Sequence, residues 1–284
     1  MRNWIIGLLL FSSIQLFAQE TKKVVILHHN DTHSRIMPLP ENSVRNGGLG
    51  GIVRQEAYVE SVREENDNVL LFHCGDFVQG TPYFNLFGGA VEVACMNLMH
   101  YDAVCLGNHE FDNGLEKLET MLRAARFPVV VSNIKVNATP LEGLIEPYHI
   151  FYREGIRIGV IGLLVSPEGL IAEPNYRDMV YLDPVTVANE TAAFLKEQKG
   201  CDLIICLSHL GYLEEENPQG DIYLAQNSRN IDIILGGHSH TLLQFADRRL
   251  NLDGKEVVIN QVGDKGAFMG RLDVVLEEIM AMDK

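Results

Sequence analysis

Apolar residues fall into short uninterrupted runs, and most runs lead into a glycine or a polar cluster. Residues 24–27, 69–72, 103–106 and 128–131 form such runs in the first half. Residues 148–151, 157–163, 203–207, 231–235, 256–260 and 268–276 form them in the second. Their β-branched content and length read as strands buried on both faces. Between them, residues 52–65, 90–99, 115–125 and 184–199 carry apolar positions at helical spacing. Glu154-Gly155 between two apolar runs predicts a hairpin. Strands alternating with helices predict an α/β fold with parallel sheets. No low-complexity stretch, solenoid period or linker divides the chain, so one domain is expected.

Composition narrows the class. Of 284 residues, 46 % are apolar and 21 % charged, which excludes a disordered, fibrous or multi-span chain. The balance of 23 basic against 38 acidic residues gives a charge of −15. That weighs against polymeric nucleic acid as a partner, since phosphate backbones need a basic face. A small phosphorylated substrate stays open, because bound cations supply positive charge locally. Residues 1–18 have the layout of a secretory signal peptide: Arg2, an apolar run over 5–17, then Ala18. The run is shorter than the roughly 20 residues a membrane span needs. The expectation is an exported chain, periplasmic or secreted, with a mature domain over 19–284 and no membrane association after cleavage. Five cysteines without a CxxC pair read as buried thiols rather than a disulfide framework or thiolate zinc site.

The chemistry sits where the strands end. Asp31, His33, Asp76, Asn108, His109, His209, His238 and His240 each follow an apolar run, and they include five of the ten histidines. Side chains at the carboxyl ends of parallel strands converge on one crevice. Carboxylate, imidazole and amide donors without thiolate suit Zn, Mn, Fe or Co. The set exceeds what one tetrahedral ion takes, so two divalent ions sharing a carboxylate are expected. Paired ions about 3.5–4 Å apart favour in-line displacement at phosphorus, activating a water and neutralising phosphoryl charge. His109 fits a general acid, and Asp112, three residues on, can hold its ring. Gly47-Gly48-Leu49-Gly50-Gly51 lacks both the P-loop ending and the dinucleotide spacing, and reads as a helix entry near the metal mouth. His28, His29, His73, His100 and His149 read as packing or surface, with His29 and His73 close enough to support the ligands. Glu214-Glu215-Glu216 reads as a solvated loop face.

These residues also carry a resemblance. Asp31-Thr32-His33, Gly75-Asp76-Phe77-Val78-Gln79-Gly80-Thr81-Pro82, Gly107-Asn108-His109-Glu110-Phe111-Asp112, Ser208-His209 and Gly236-Gly237-His238-Ser239-His240 stand in the order seen in calcineurin-like metallophosphoesterases. The third motif, Val78-Gln79-Gly80-Thr81-Pro82 and Gly270-Arg271-Leu272-Asp273 look like the 5′-nucleotidase branch. The resemblance implies a four-layer αββα sandwich. It implies that Asp31, His33 and His240 hold one ion, that Asn108, His209 and His238 hold the other, and that Asp76 bridges them. His109, paired with Asp112, would protonate the leaving oxygen. The implied activity is metal-dependent release of phosphate from nucleotides by attack of a metal-bound hydroxide. Cyclic phosphodiesters, nucleotide sugars and sulfur esters are the alternative substrates. Full 5′-nucleotidases resemble two domains, the second recognising the nucleoside, and this sequence ends at Lys284 soon after its last apolar run. The expectation is therefore either a separate substrate-recognition chain or a domain working alone with broad specificity. No arginine lies inside the five motifs that follow the strands, so phosphate charge is expected to be met chiefly by the metals.

Overall fold

The computed structural model describes residues 21–212 and 220–277. The leader at 1–18 and the run Glu214-Glu215-Glu216 lie outside them. In chain order the first half contains β1 (Thr21–His29), α1 (Ile52–Glu65), β2 (Val69–Cys74), α2 (Pro82–Phe87), α3 (Ala90–Leu98), β3 (Ala103–Cys105), α4 (Leu115–Arg123) and β4 (Ile134–Lys135). The second contains β5 (Tyr148–Arg153), β6 (Ile156–Leu164), β7 (Val180–Tyr181), α5 (Pro184–Glu197), β8 (Leu203–His209), α6 (Asp221–Gln226), β9 (Ile233–Leu235), β10 (Asp247–Leu250), β11 (Glu256–Asn260) and β12 (Gly270–Glu277).

Two sheets carry the molecule. One has the order β12-β1-β2-β3, with β1, β2 and β3 parallel and β12 antiparallel at the edge. The other has the order β10-β11-β9-β8-β6-β5, with four parallel central strands and antiparallel edges. The β5–β6 pair is the hairpin expected around Glu154-Gly155. The period-2 alternation of strands sorts the second sheet's side chains into two cores. Leu203, Ile205 and Leu207 of β8, with Ile233 and Leu235 of β9, join the core shared with the first sheet. Ile204, Cys206 and Ile234, with Val257 and Ile259 of β11, point the other way, onto Ala188, Ala192 and Leu195 of α5 and Leu224 of α6. Val59 and Val62 of α1, Val93 and Met96 of α3, and Leu118 and Met121 of α4 cover the first sheet. Helix, sheet, sheet, helix is the αββα sandwich.

Residues 128–131 are a correction. They form no ladder strand; Val129 and Val130 make isolated bridges to Val104 and Glu146. Ser132 donates its N–H to the Gly162 carbonyl at 2.7 Å, tying the segment to β6. All five cysteines are free thiols, and Cys74, Cys105, Cys201 and Cys206 are buried. Among the described residues no helix is long and apolar enough to cross a membrane.

Register sets the site. His29 pairs with His73 across β1 and β2, Cys74 with Cys105 across β2 and β3, and Leu207 with Leu235 across β8 and β9. The strands therefore finish nearly level, and their following loops open on one rim.

Candidate metal centre

At that rim the chain turns sharply. Asp31, His33, Asp76, His238 and His240 all have left-handed backbone, with φ of 49°, 48°, 55°, 71° and 55°. Such conformations strain most side chains, least so Asp, Asn and His, and they gather at functional sites. Backbone bonds lock the first two turns together: Asp31 donates its N–H to the Gly75 carbonyl, and His33 to that of Asp76, both at 3.0 Å. The Asp31 carboxylate accepts from Asn30 Nδ2 at 2.6 Å and from the His238 N–H at 2.9 Å. It thereby joins the first sheet's loop to the second's.

The candidates picked from the sequence come together. Ligand atoms of Asp31, His33 and His240 lie within 4.8 Å of one another, as do those of His33, Asp76 and His109, and those of Asp76, His209 and His238. Asp76 is common to two of these groups. The Nε2 atoms of His33 and His240 face each other at 3.0 Å. Asn108 places Oδ1 3.0 Å from His238 Nδ1. His109 Nδ1 lies 2.8 Å from Asp112 Oδ2, and the His109 N–H donates to Asp76 Oδ1 at 2.9 Å.

His209 is the most constrained of the set. It is fully buried, and its Nδ1–H donates to the Cys74 carbonyl at 2.7 Å, which fixes the tautomer. Nε2 then faces the centre without a hydrogen bond, 3.1 Å from Asp76 Oδ2 and 4.0 Å from Asp31 Oδ1. A buried imidazole nitrogen facing two buried carboxylates is what a metal ligand presents. Burial lowers the His209 pKa, but the charges of Asp76 and Asp31 overcome it and lift it to about 10. Burial alone would raise the Asp76 carboxyl; the neighbouring imidazoles, His209 first, hold it below the usual carboxylate range. Burial, helped by the charge of His209, brings His238 down to about 4, leaving a neutral ring with a free lone pair. His33 is lowered by burial too. His109 moves the other way, raised by its hydrogen bond to Asp112 against the cost of burial. Positive charge is thus demanded at the middle of the cluster, and a divalent ion fits the donor set better than a single proton.

Several positioning residues were not singled out in the sequence. The buried Glu110 carboxylate accepts the N–H groups of Gly107 (2.6 Å), Asp76 (2.9 Å), Phe77 (2.9 Å) and Val78 (3.3 Å), clamping the β2 and β3 loops together. Burial and the Asp76 charge push its pKa up to about 7. Its signal was its place beside His109 in the third motif. Gln261 Oε1 accepts from Ser239 Oγ at 2.9 Å and from the Thr241 N–H at 2.6 Å, holding the loop that carries His238 and His240. A lone glutamine after a strand gives no such signal. A Cβ at Gly107 would strike Asp76 Oδ1 and the His209 ring, so only glycine fits. His29 bonds Tyr101 Oη at 2.8 Å and His73 bonds Thr32 Oγ1 at 3.0 Å; neither touches a candidate ligand by hydrogen bond.

Level strand ends on two stacked sheets, bearing this donor set, define a metal-dependent phosphoesterase scaffold. The chain belongs to the calcineurin-like phosphoesterase family, whose profile matches residues 24–242. It is 32 % identical to human 5′-nucleotidase over 277 residues, which is 90 % of this chain and 47 % of that protein. Among solved structures it resembles the NAD nucleotidase of Haemophilus influenzae, with a TM-score of 0.81 and 31 % identity over 90 % of this chain and 53 % of the other. It also resembles the 5′-nucleotidase precursor of Thermus thermophilus, with a TM-score of 0.79 and 33 % identity over 89 % and 51 %. The chain spans about half the length of the curated relatives it matches.

Proposed function

We propose that the protein is an exported hydrolase that releases phosphate from phosphomonoesters, with nucleotides as its substrate class. Asp31, His33 and His240 would hold one divalent ion, Asn108, His209 and His238 a second, and Asp76 both. Bound there, such ions supply Lewis-acid charge neutralisation and an acidified water near neutral pH. The protein's own groups do the rest. His209 keeps its Nδ1 proton on the Cys74 carbonyl and so offers only Nε2. His109, oriented by Asp112 and raised in pKa by that hydrogen bond, donates a proton to the departing ester oxygen. Likeness to 5′-nucleotidases supports the nucleotide class, and likeness to an NAD nucleotidase favours a second reading in which the nucleotide is larger. The signal-peptide layout of residues 1–18 supports export.

The observation that carries this reading is Asp76, whose carboxylate oxygen comes within 4.8 Å of a ligand atom of His33 on one side and of His209 and His238 on the other. The test compares metal content and phosphate release in wild type, Asp76→Ala and His109→Ala. Asp76→Ala should lose metal and turnover together. His109→Ala should keep its metal and lose about 10²–10⁴ in rate, the usual worth of a general acid. Full metal content in Asp76→Ala would sink the shared-carboxylate assignment.

A further inference from the structure

The His33 imidazole is held differently from others in the centre. His209 and His109 each have a ring nitrogen fixed by a hydrogen bond, to the Cys74 carbonyl and to Asp112. His33 Nδ1 is buried and has no such partner among the described residues. Its ring therefore points where the backbone sends it. That backbone is strained, because His33 and Ser34 are consecutive left-handed residues with φ of 48° and 56°. Residues with side chains take this conformation singly, and a pair persists only where the surroundings enforce it. The β2 loop supplies part of that enforcement. Ser34 donates its N–H to the Phe77 carbonyl at 3.0 Å, and a Cβ at Gly80 would lie 3.3 Å from the His33 carbonyl oxygen.

A second element reaches the same turn. Helix α3 is apolar along its length except for Glu92 and Asn97, and Glu92 stands buried in its first turn. A buried carboxylate is costly unless hydrogen-bonded, and an apolar residue would fill the position without that cost. Its partner gives the reason for it. Ser34, also buried, donates its Oγ–H to Glu92 Oε1. Thr81 Oγ1 lies 2.9 Å from both the Ser34 carbonyl oxygen and Ser34 Oγ, and it accepts the Tyr83 N–H at the start of α2. Glu92, Ser34 and Thr81 thus tie α3 and α2 to the turn that carries His33.

We propose that Glu92 is a positioning residue for His33: by accepting from Ser34 it holds the strained turn that aims the imidazole at the metal centre. The inference rests on the metal centre of the hydrolase reading, and it assigns the aim of one ligand to a helix outside every motif. Groups that orient a ligand from behind change metal affinity by about 10–100-fold when they are removed.

Titration of metal-free protein with Co²⁺, followed by visible absorption, tests it in wild type, His33→Ala, Glu92→Leu, Glu92→Gln, Ser34→Ala and the Ser34→Ala/Glu92→Leu double variant. Wild type should bind two ions, and His33→Ala should mark one binding step by abolishing it. Glu92→Leu and Ser34→Ala should each weaken that same step by about 10–100-fold and leave the other at its wild-type value. Glu92→Gln keeps an acceptor oxygen and should regain part of the loss. The double variant should be no weaker than the worse single one, because both changes remove one bond. Turnover of an aryl phosphate should fall at limiting Co²⁺ and recover in excess. A merely structural role would lower the metal-free Tm and leave the two affinities in their wild-type ratio. That outcome, or additive losses in the double variant, overturns the proposal. Should Glu92→Leu not fold, Ser34→Ala still decides, since it takes the same bond away from its other end. Two bound ions and the coupled losses in a protein that hydrolyses no phosphoester would overturn the hydrolase reading and leave the role of Glu92 standing. Wild type that binds no ion overturns both.

Discussion

Asp221 and Glu110 show how two buried carboxyls near one site differ by their partners. Glu110 faces four backbone donors, whereas Asp221 accepts from the Ser208 hydroxyl through Oδ1 and has no partner on Oδ2. Burial pushes the Asp221 pKa up to about 7, against an ordinary value of 3.8. Folded protein then keeps a proton that the unfolded chain has already released between these two values. Stability should fall as pH rises through that window and level off above it. At about 1.4 kcal/mol per unit the whole effect is at most ~4 kcal/mol. Denaturant unfolding in chelator, at steps from pH 4 to 8, should give a shallower slope for Asp221→Asn than for wild type; equal slopes would assign the proton elsewhere. The candidate ligands were visible in the sequence because Asp, Asn and His recur after apolar runs. Glu110, Gln261 and Asn30 were not, because most of their partners are backbone groups whose directions exist only once the loops are folded.

At the scale of elements, the long strands were readable and the short pieces were not. β1, β2 and β8 are buried over four or more consecutive residues, so their sequences are continuous apolar runs. By contrast α2 and α6 span six residues each, too few for a helical period to repeat, and β10 is a charged edge, Asp247-Arg248-Arg249-Leu250. Residues 128–131 have the composition of a strand but spend their bonds on isolated bridges and on β6. Gly162 permits that approach: a Cβ there would collide with the Val130 carbonyl and lie 3.2 Å from Cys105 Sγ. Gly162→Ala should cost about 1–3 kcal/mol, as overpacking does, and lower the Tm by several degrees. An unchanged Tm would mean the segment shifts freely, and the bridges would then carry little of the inter-sheet packing.

Over the whole molecule, strand and helix alternation foretold the layered α/β architecture, and the Asp, Asn and His residues following the apolar runs foretold a single crevice. What could not be read was how the sheets stack, since that depends on which face each apolar residue takes. The stacking has an energetic corollary. Asp31, Asp76 and Asn108 come from the first sheet, and His209, His238 and His240 from the second. Ions held by both would tie the halves together and stabilise only the folded form. Chelation should therefore lower the Tm, by the equivalent of ~2.7 kcal/mol if free metal had stood at 100 times its Kd. A Tm indifferent to chelator, at full metal content beforehand, would separate metal binding from the inter-sheet contact. His209 makes that coupling sharper still. Its imidazole springs from one sheet, is anchored to a carbonyl of the other, and is walled in by glycines with no slack around it. The ring is thus a strain gauge between the two halves: any sideways slip of one against the other must first be written into the field at the metal centre, where a spectroscopically active ion would report it before the fold itself gave way.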